Sequence, residues 1–335
     1  MDGQLKRRDF LRQIGGGAAA LSLGRLVTDA RGAAGADAKS GPGGLSVKDL
    51  PKRKLGRTGI EVAPLSIGLA PMGHAFYTPE QYEPVAHAAI DAGLTYLDIA
   101  PNYDVSEERL GPVMARRRDE VFLVGKTEAP SRDGTLRLID QSLRRMQTDR
   151  LDLCHLHNVG QFPTEKLLGK GGMLEGIQAA KQRGLVRFIG ASGHQGGDRF
   201  LPVMETGEID VLMVAMNFVD RHIYDFETRL LPVARKHRMG IVAMKVFGGV
   251  SGGWGGYRKA NPGRLVGRDH SWAIRYAMEI PGVHTLVVGM KSLEEMRQAI
   301  QAVRDYKPLT ADEKAALEKR GRALAVKWGK HFGPV

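Results

Sequence analysis

The sequence predicts an α/β fold, a (β/α)8 TIM barrel with an N-terminal β-hairpin and an extra C-terminal helix. Three observations predict it. Eight short apolar runs alternate with helix-like stretches between residues 52 and 320, the rhythm of strand–helix units around a parallel sheet. These runs are apolar throughout, as expected of strands buried on both faces. Several of them end on a chemically useful side chain: Asp98 with Tyr103 five residues on, then Lys126, then His157. The C-terminal ends of parallel barrel strands meet over one site, which is where such residues belong.

Taken in order, Lys52 to Val62 reads as a hairpin, with its turn signal at Arg57 to Gly59. Leu65–Gly68 is the first core strand. A helix follows from Pro79 to Ala92, with proline at its start and Gly93 after its end. Leu94 to Ile99, Val121 to Gly125, Leu151–Leu156, Val186 to Gly190, Val211–Ala215, Ile241 to Met244 and Thr285 to Val288 are the other seven strands. The helices between them are Glu107 to Arg117, Leu136 to Met146, Leu174 to Arg183, Phe200 to Glu205, Tyr224 to His237 and Ser271 to Met278. Leu136, Ile139, Leu143 and Met146 show the helical period most plainly. Leu293 to Tyr306 completes the last unit, and Asp312 to Val326 is the additional helix. A doubly wound sheet is the competing architecture, but Gly68-Leu69-Ala70-Pro71-Met72-Gly73 is not the glycine turn it requires, and no Gly-x-x-x-x-Gly-Lys-Ser/Thr loop occurs.

The 335 residues suffice for a full core, and 42% hydrophobic with 26% charged residues is ordinary for a globular chain. A lone cysteine, Cys154, rules out an intramolecular disulfide and any cysteine-ligated cluster. The net charge is +12, yet basic residues are interspersed with acidic ones and no recognition motif accompanies them, so nucleic acid is not an expected partner. Arg116-Arg117-Arg118, followed at once by Asp119-Glu120, reads as a solvated helix end.

Residues 1–45 read as a segment apart from the fold, and 46–335 as the barrel domain. Lys6-Arg7-Arg8-Asp9-Phe10-Leu11-Arg12 precedes a modest Gly, Ala and Leu stretch from Ile14 to Leu26. This resembles a twin-arginine (Tat) signal peptide. The resemblance implies the Tat export machinery as a partner and a periplasmic or otherwise exported destination. The apolar stretch is too short and glycine-rich for stable membrane insertion.

Five stretches resemble the aldo-keto reductase family in order and spacing: Lys54 to Leu65, Asp98-Ile99-Ala100-Pro101-Asn102-Tyr103, Gly125-Lys126-Thr127, Asp152 to Asn158, and Gly184 to Ser192. The resemblance runs from about residue 52 to about 320. It implies a catalytic tetrad of Asp98, Tyr103, Lys126 and His157, a small carbonyl substrate, and NADP (NADPH) as cofactor ahead of NAD. The chemistry is coherent on its own terms. A phenol near pKa 10 is a poor acid at neutral pH unless its phenolate is stabilised. A lysine ammonium supplies that stabilisation, an aspartate keeps the lysine charged, and a histidine orients the carbonyl oxygen. Side chains cannot donate hydride, so a nicotinamide must.

For cofactor binding the resemblance implies Gly68, Ser192, Asn217, Gly289, Lys291, Ser292 and Arg297. Lys291 and Arg297 favour a 2′-phosphate, hence NADP. This chain departs from the family at Gly193, Met213, Met216 and Ala299. Met216 offers a polarizable surface in place of an aromatic ring. The resemblance also implies that Gly248 to Arg268 is the loop covering cofactor and substrate; its glycines permit a hinge, and Trp254 and Tyr257 supply apolar contact area. Lys245, just before it, either reaches the site or sits on the rim.

Two other classes compete. His155 and His157 alternate on one strand and so share a face, which also suits a metal-dependent barrel hydrolase. A nicotinamide-binding module without turnover is the third reading, favoured by the departures and opposed by the tetrad.

Overall fold

Strands β3 (Leu65–Gly68), β4 (Tyr96–Asp98), β5 (Phe122–Thr127), β6 (Leu151–Leu156), β7 (Val186–Gly193), β8 (Val211–Ala215), β9 (Gly240–Met244) and β10 (Val283–Gly289) pair in parallel, each with the next. β10 returns to pair with β3 and closes the barrel. This computed structural model describes residues 45–74, 77–252 and 261–335. The predicted signal and most of its linker lie outside the described residues, as do Trp254 and Tyr257.

The predicted hairpin is present as β1 (Arg53–Lys54) and β2 (Glu61–Val62), paired antiparallel. Its turn is a short 3₁₀ helix, Gly56–Thr58, and Gly56 has a φ of 50°. A Cβ there would fall 2.2 Å from the Gly240 backbone nitrogen, so only glycine lets the turn press against β9. Leu55 and Val62 are thereby buried with Tyr96, Phe122, Val124, Leu153, Val211, Met213, Val242, Met244 and Val287, the apolar filling of the barrel. The hairpin thus closes the end opposite the polar strand termini. Arg57 ties it down through Asp210, Nε to Oδ1 at 2.9 Å.

Outside the strands lie helices α1 (Pro79–Asp91), α2 (Ser106–Arg117), α3 (Arg132–Arg145), α4 (Thr164–Leu168), α5 (Met173–Gln182), α6 (Gly197–Glu205), α7 (Phe226–Lys236), α8 (Asp269–Glu279), α9 (Leu293–Arg304) and α10 (Ala311–Trp328). They pack a second apolar layer onto the outer strand faces. Several start earlier than the sequence predicts. α3 begins at Arg132, where Ser131 Oγ accepts from the Gly134 N–H, a polar first turn that apolar periodicity does not register. The short α4 was not predicted; its five residues are fewer than two turns. β5 and β7 run on to Thr127 and Gly193, which carries the strand geometry into the site. Ser46 and Val47 anchor the start of the described chain: Ser46 Oγ and the Val47 N–H both donate to Ala92 O, at 2.9 and 2.8 Å.

Candidate active site

Side chains two apart on a strand share a face. In β4 and β5 that rule carries Tyr96 and Asp98, and Phe122, Val124 and Lys126, into the interior; in β6 it carries Leu153 and His155, with His157 one step beyond. The lower members are apolar and fill the barrel. The upper members are polar and form a buried layer at the C-terminal strand ends: Asp98, Lys126 and His157 are 4%, 2% and 3% exposed.

Lys126 Nζ donates to Asp98 Oδ1 at 2.6 Å and to Ile99 O at 2.9 Å. The same ammonium lies 4.9 Å from the centre of the Tyr103 ring. The His157 and Tyr103 rings meet edge to face, 6.3 Å between centroids. The four predicted catalytic residues therefore converge. Burial pulls the Lys126 pKa below the usual lysine value, opposed by the Asp98 charge and hydrogen bond. Burial also lowers His157, opposed by Glu128.

Glu128 is the residue that sequence reasoning missed. Its Oε1 lies 3.0 Å from His157 Nδ1 and accepts from Asn102 Nδ2 at 2.9 Å and Asn158 Nδ2 at 2.6 Å. The signal was available, since Glu128 stands two residues after Lys126 and takes the next step of the same alternation.

The C-terminal segment beyond α10 was missed as well. It lies over this end of the barrel: the Phe332 ring packs at a tilt against His331, and its centre is 5.2 Å from that of His194. His331 Nε2 is 2.7 Å from Asp220 Oδ1, with both side chains buried. The Gly196 N–H donates to Pro334 O at 3.0 Å. Nothing in its composition distinguishes this stretch from a frayed terminus.

The metal reading is corrected by placement. His155 is fully buried inside the barrel, and a Cβ on Gly190 would overlap its ring, 2.2 Å from Nδ1. Among the described residues no group of three or more His, Cys, Asp or Glu side chains is placed to hold a metal ion. His155 is a packed interior residue whose pKa burial drives well down.

The sequence model of the aldo/keto reductase family matches residues 64–264. The chain belongs to the aldo/keto reductase family. L-galactose dehydrogenase of Arabidopsis thaliana is 24% identical over 305 residues, covering 79% of this chain and 92% of that enzyme. A solved structure from Pseudomonas aeruginosa, described as an aldo-keto reductase, is 27% identical. It superposes with a TM-score of 0.63 over 77% of this chain and 98% of its own. An aldo-keto reductase from Klebsiella pneumoniae, solved in complex with NADPH, shares the fold at 22% identity, with a TM-score of 0.64 over 81% of this chain and 95% of its own.

The predicted cofactor residues of this family member fall into two groups. Gly68 pairs in register with Gly289 on one side and Asp98 on the other, so the two glycines form a low rim beside the tetrad. Ser292 is the N-cap of α9 and accepts from the Glu295 N–H at 3.1 Å. Lys291 Nζ stands 3.4 Å from Glu295, and Arg297 pairs with Glu294. Such exposed pairs are worth only about 0.3–0.5 kcal/mol, so neither cation is strongly committed within the chain.

The second group is committed within the chain. Asn217 donates to Asp220 Oδ2 and Lys245 O and accepts from the Val219 and Asp220 N–H groups, so its amide is fully engaged in holding the loop after β8. Ser192 is fully buried, its Oγ 3.5 Å from Leu156 O. Met216 is buried in the larger apolar cluster, and Met244, at the end of β9, belongs to the barrel interior. Lys245, through its charge, opposes protonation of both Lys126 and His194. Its φ of 54° is unusual for a non-glycine residue. The base of the following loop is pinned by the Val250–Gly263 bridge.

Proposed function

We propose that this chain is an exported, NADP(H)-dependent oxidoreductase. It reduces an aldehyde or ketone, or oxidises the corresponding alcohol or sugar, with Tyr103 as general acid. The observation that carries this reading is the buried Lys126–Asp98 pair beneath the Tyr103 ring, with His157 at its edge. The substrate oxygen is received between the Tyr103 hydroxyl and His157. As charge develops on that oxygen, the Tyr103 proton moves to it, and the Lys126 ammonium stabilises the phenolate left behind. Asp98 keeps that ammonium charged despite its burial. In the reverse direction the phenolate accepts the alcohol proton.

The donor set at the start of α9 fits a phosphorylated dinucleotide: Lys291 and Arg297 as cations, Ser292 at a helix N-terminus. A nicotinamide cofactor, when bound, supplies or takes the hydride at the substrate carbon. The NADPH held by the Klebsiella pneumoniae relative and the sugar dehydrogenase among the curated relatives support this choice of cofactor and substrate class.

Export rests on the paired Arg7 and Arg8 with Phe10-Leu11, and the domain boundary near residue 46 on the anchoring of Ser46 and Val47. No helix among the described residues is long and apolar enough to cross a membrane. The test is twofold. Purified protein should oxidise NADPH with an aldehyde or sugar-derived carbonyl from a panel and bind NADPH more tightly than NADH; absence of turnover with every carbonyl and both cofactors refutes the catalytic reading. Cell fractionation should find the chain outside the cytoplasm, and Arg7→Lys with Arg8→Lys should retain it inside. Unchanged distribution refutes the export reading.

A further inference from the structure

Glu128 has no part in the scheme above, yet it is built into the site. Its Oε1 lies 3.0 Å from His157 Nδ1 and accepts from Asn102 and Asn158. The Asn158 amide nitrogen faces Glu128, so its Oδ1 faces His194 Nδ1 at 3.2 Å and makes that nitrogen the donor. Asn158 holds a φ of 53°, a left-handed conformation that non-glycine residues adopt at a cost. Asn102, Glu128, Asn158 and His194 follow four successive strands, β4 to β7. The carboxylate behind His157 is thus held from both sides.

We infer that Glu128 is a positioning residue for the proposed reaction: its charge, 3.0 Å from His157 Nδ1, draws the ring proton to that nitrogen and leaves Nε2 for the substrate oxygen. This inference rests on the reading given under Proposed function. The two imidazole nitrogens are complementary. With its proton on Nδ1, the neutral ring offers a lone pair at Nε2 and accepts the O–H of an alcohol. It donates to a carbonyl oxygen only as imidazolium. A carboxylate 3.0 Å from Nδ1 stabilises that imidazolium against burial. The other groups around His157 are Lys126, Asp98, Tyr103, His155 and His194, with Lys245 beyond His194. Lys126 opposes protonation and Asp98 favours it. All of these remain when Glu128 is changed, so the change isolates the one carboxylate. Carbonyl reduction accordingly belongs to the acid side of the His157 titration, and alcohol oxidation to the alkaline side.

The test compares wild type, Glu128→Gln and Glu128→Asp. Reductive kcat/KM is followed across roughly pH 5 to 9, the range in which histidine titrates. Nitrogen NMR on histidine-labelled protein reads the His157 tautomer, with His157→Asn providing the assignment. The wild-type ring should carry its proton on Nδ1. In Glu128→Gln the reductive limb should move to acid pH by about 1 unit or more, lowering kcat/KM at neutral pH about tenfold. NADPH affinity should be unchanged, and Glu128→Asp should restore part of the shift. A wild-type ring protonated on Nε2 alone, or a Glu128→Gln variant matching wild type in tautomer and pH limb, overturns the inference. If wild type carries the Nδ1 proton and responds to Glu128→Gln by NMR but reduces no carbonyl, the inference about Glu128 as the holder of that proton stands, and the proposed function fails.

Discussion

Lys126 Nζ donates to Asp98 Oδ1 at 2.6 Å, with both side chains withdrawn from water. Breaking a buried ion pair from one side leaves the other charge uncompensated, at about 3–5 kcal/mol. Asp98→Asn should therefore destabilise the fold by that order in urea denaturation, as well as reduce turnover. Replacing both residues, Asp98→Leu with Lys126→Met, should restore most of the stability and none of the activity. A stable, fully active Asp98→Asn would place the Lys126 charge outside the mechanism.

Burial lowers the pKa of His155 and His194 well below the ordinary 6.5. In each case the unfolded chain binds a proton that the folded chain refuses. Stability is therefore complete above about pH 6.5 and falls as pH drops toward the folded-state values. The slope approaches roughly 1.4 kcal/mol per pH unit for each histidine. Denaturation midpoints measured across this window should show the decline, and His155→Leu should reduce its slope. Equal slopes in the variant and wild type would contradict the assignment of His155 as a neutral buried ring.

The barrel itself was legible because strand ends and helix stops are local signals. Asp98, Lys126 and His157 each terminate an apolar run, and the alternation that fills the interior with Tyr96, Phe122 and Leu153 aims them at one point. Two features were not legible. Asn217 has the residue type of a ligand, but which partners its amide meets depends on Asp220 and on the Lys245 carbonyl, 28 residues away. The C-terminal cover depends on His331 meeting Asp220, 111 residues apart, a pairing with no periodic trace in the chain.

That cover carries its own expectation. A hydrogen bond to a charged buried group contributes about 1.5–3 kcal/mol. His331→Ala should destabilise by this order and loosen the Asn217 loop, because Asp220 ties the two together. Hydrogen exchange at the Val219 and Asp220 amides, both bonded to Asn217 Oδ1, should accelerate. Unchanged exchange there would separate the cover from the loop.

Lys291 and Arg297 are balanced by Glu295 and Glu294. Lys291→Ala with Arg297→Ala should weaken NADPH binding by about tenfold or more while leaving NADH nearly unaffected, since charge-assisted bonds to the extra phosphate are lost. Nicotinamide fluorescence titration measures both. Equal losses for the two cofactors would remove the 2′-phosphate from this helix.

The most direct test of the central claim is Tyr103→Phe, which deletes one hydroxyl above Lys126 and leaves the ring and its contacts in place. NADPH-dependent carbonyl reduction and NADPH binding would be measured on the same preparation. The account predicts that kcat falls by about 10²-fold or more, with cofactor affinity and folding unchanged. Full turnover by Tyr103→Phe would contradict it and move the proton donor elsewhere in the site.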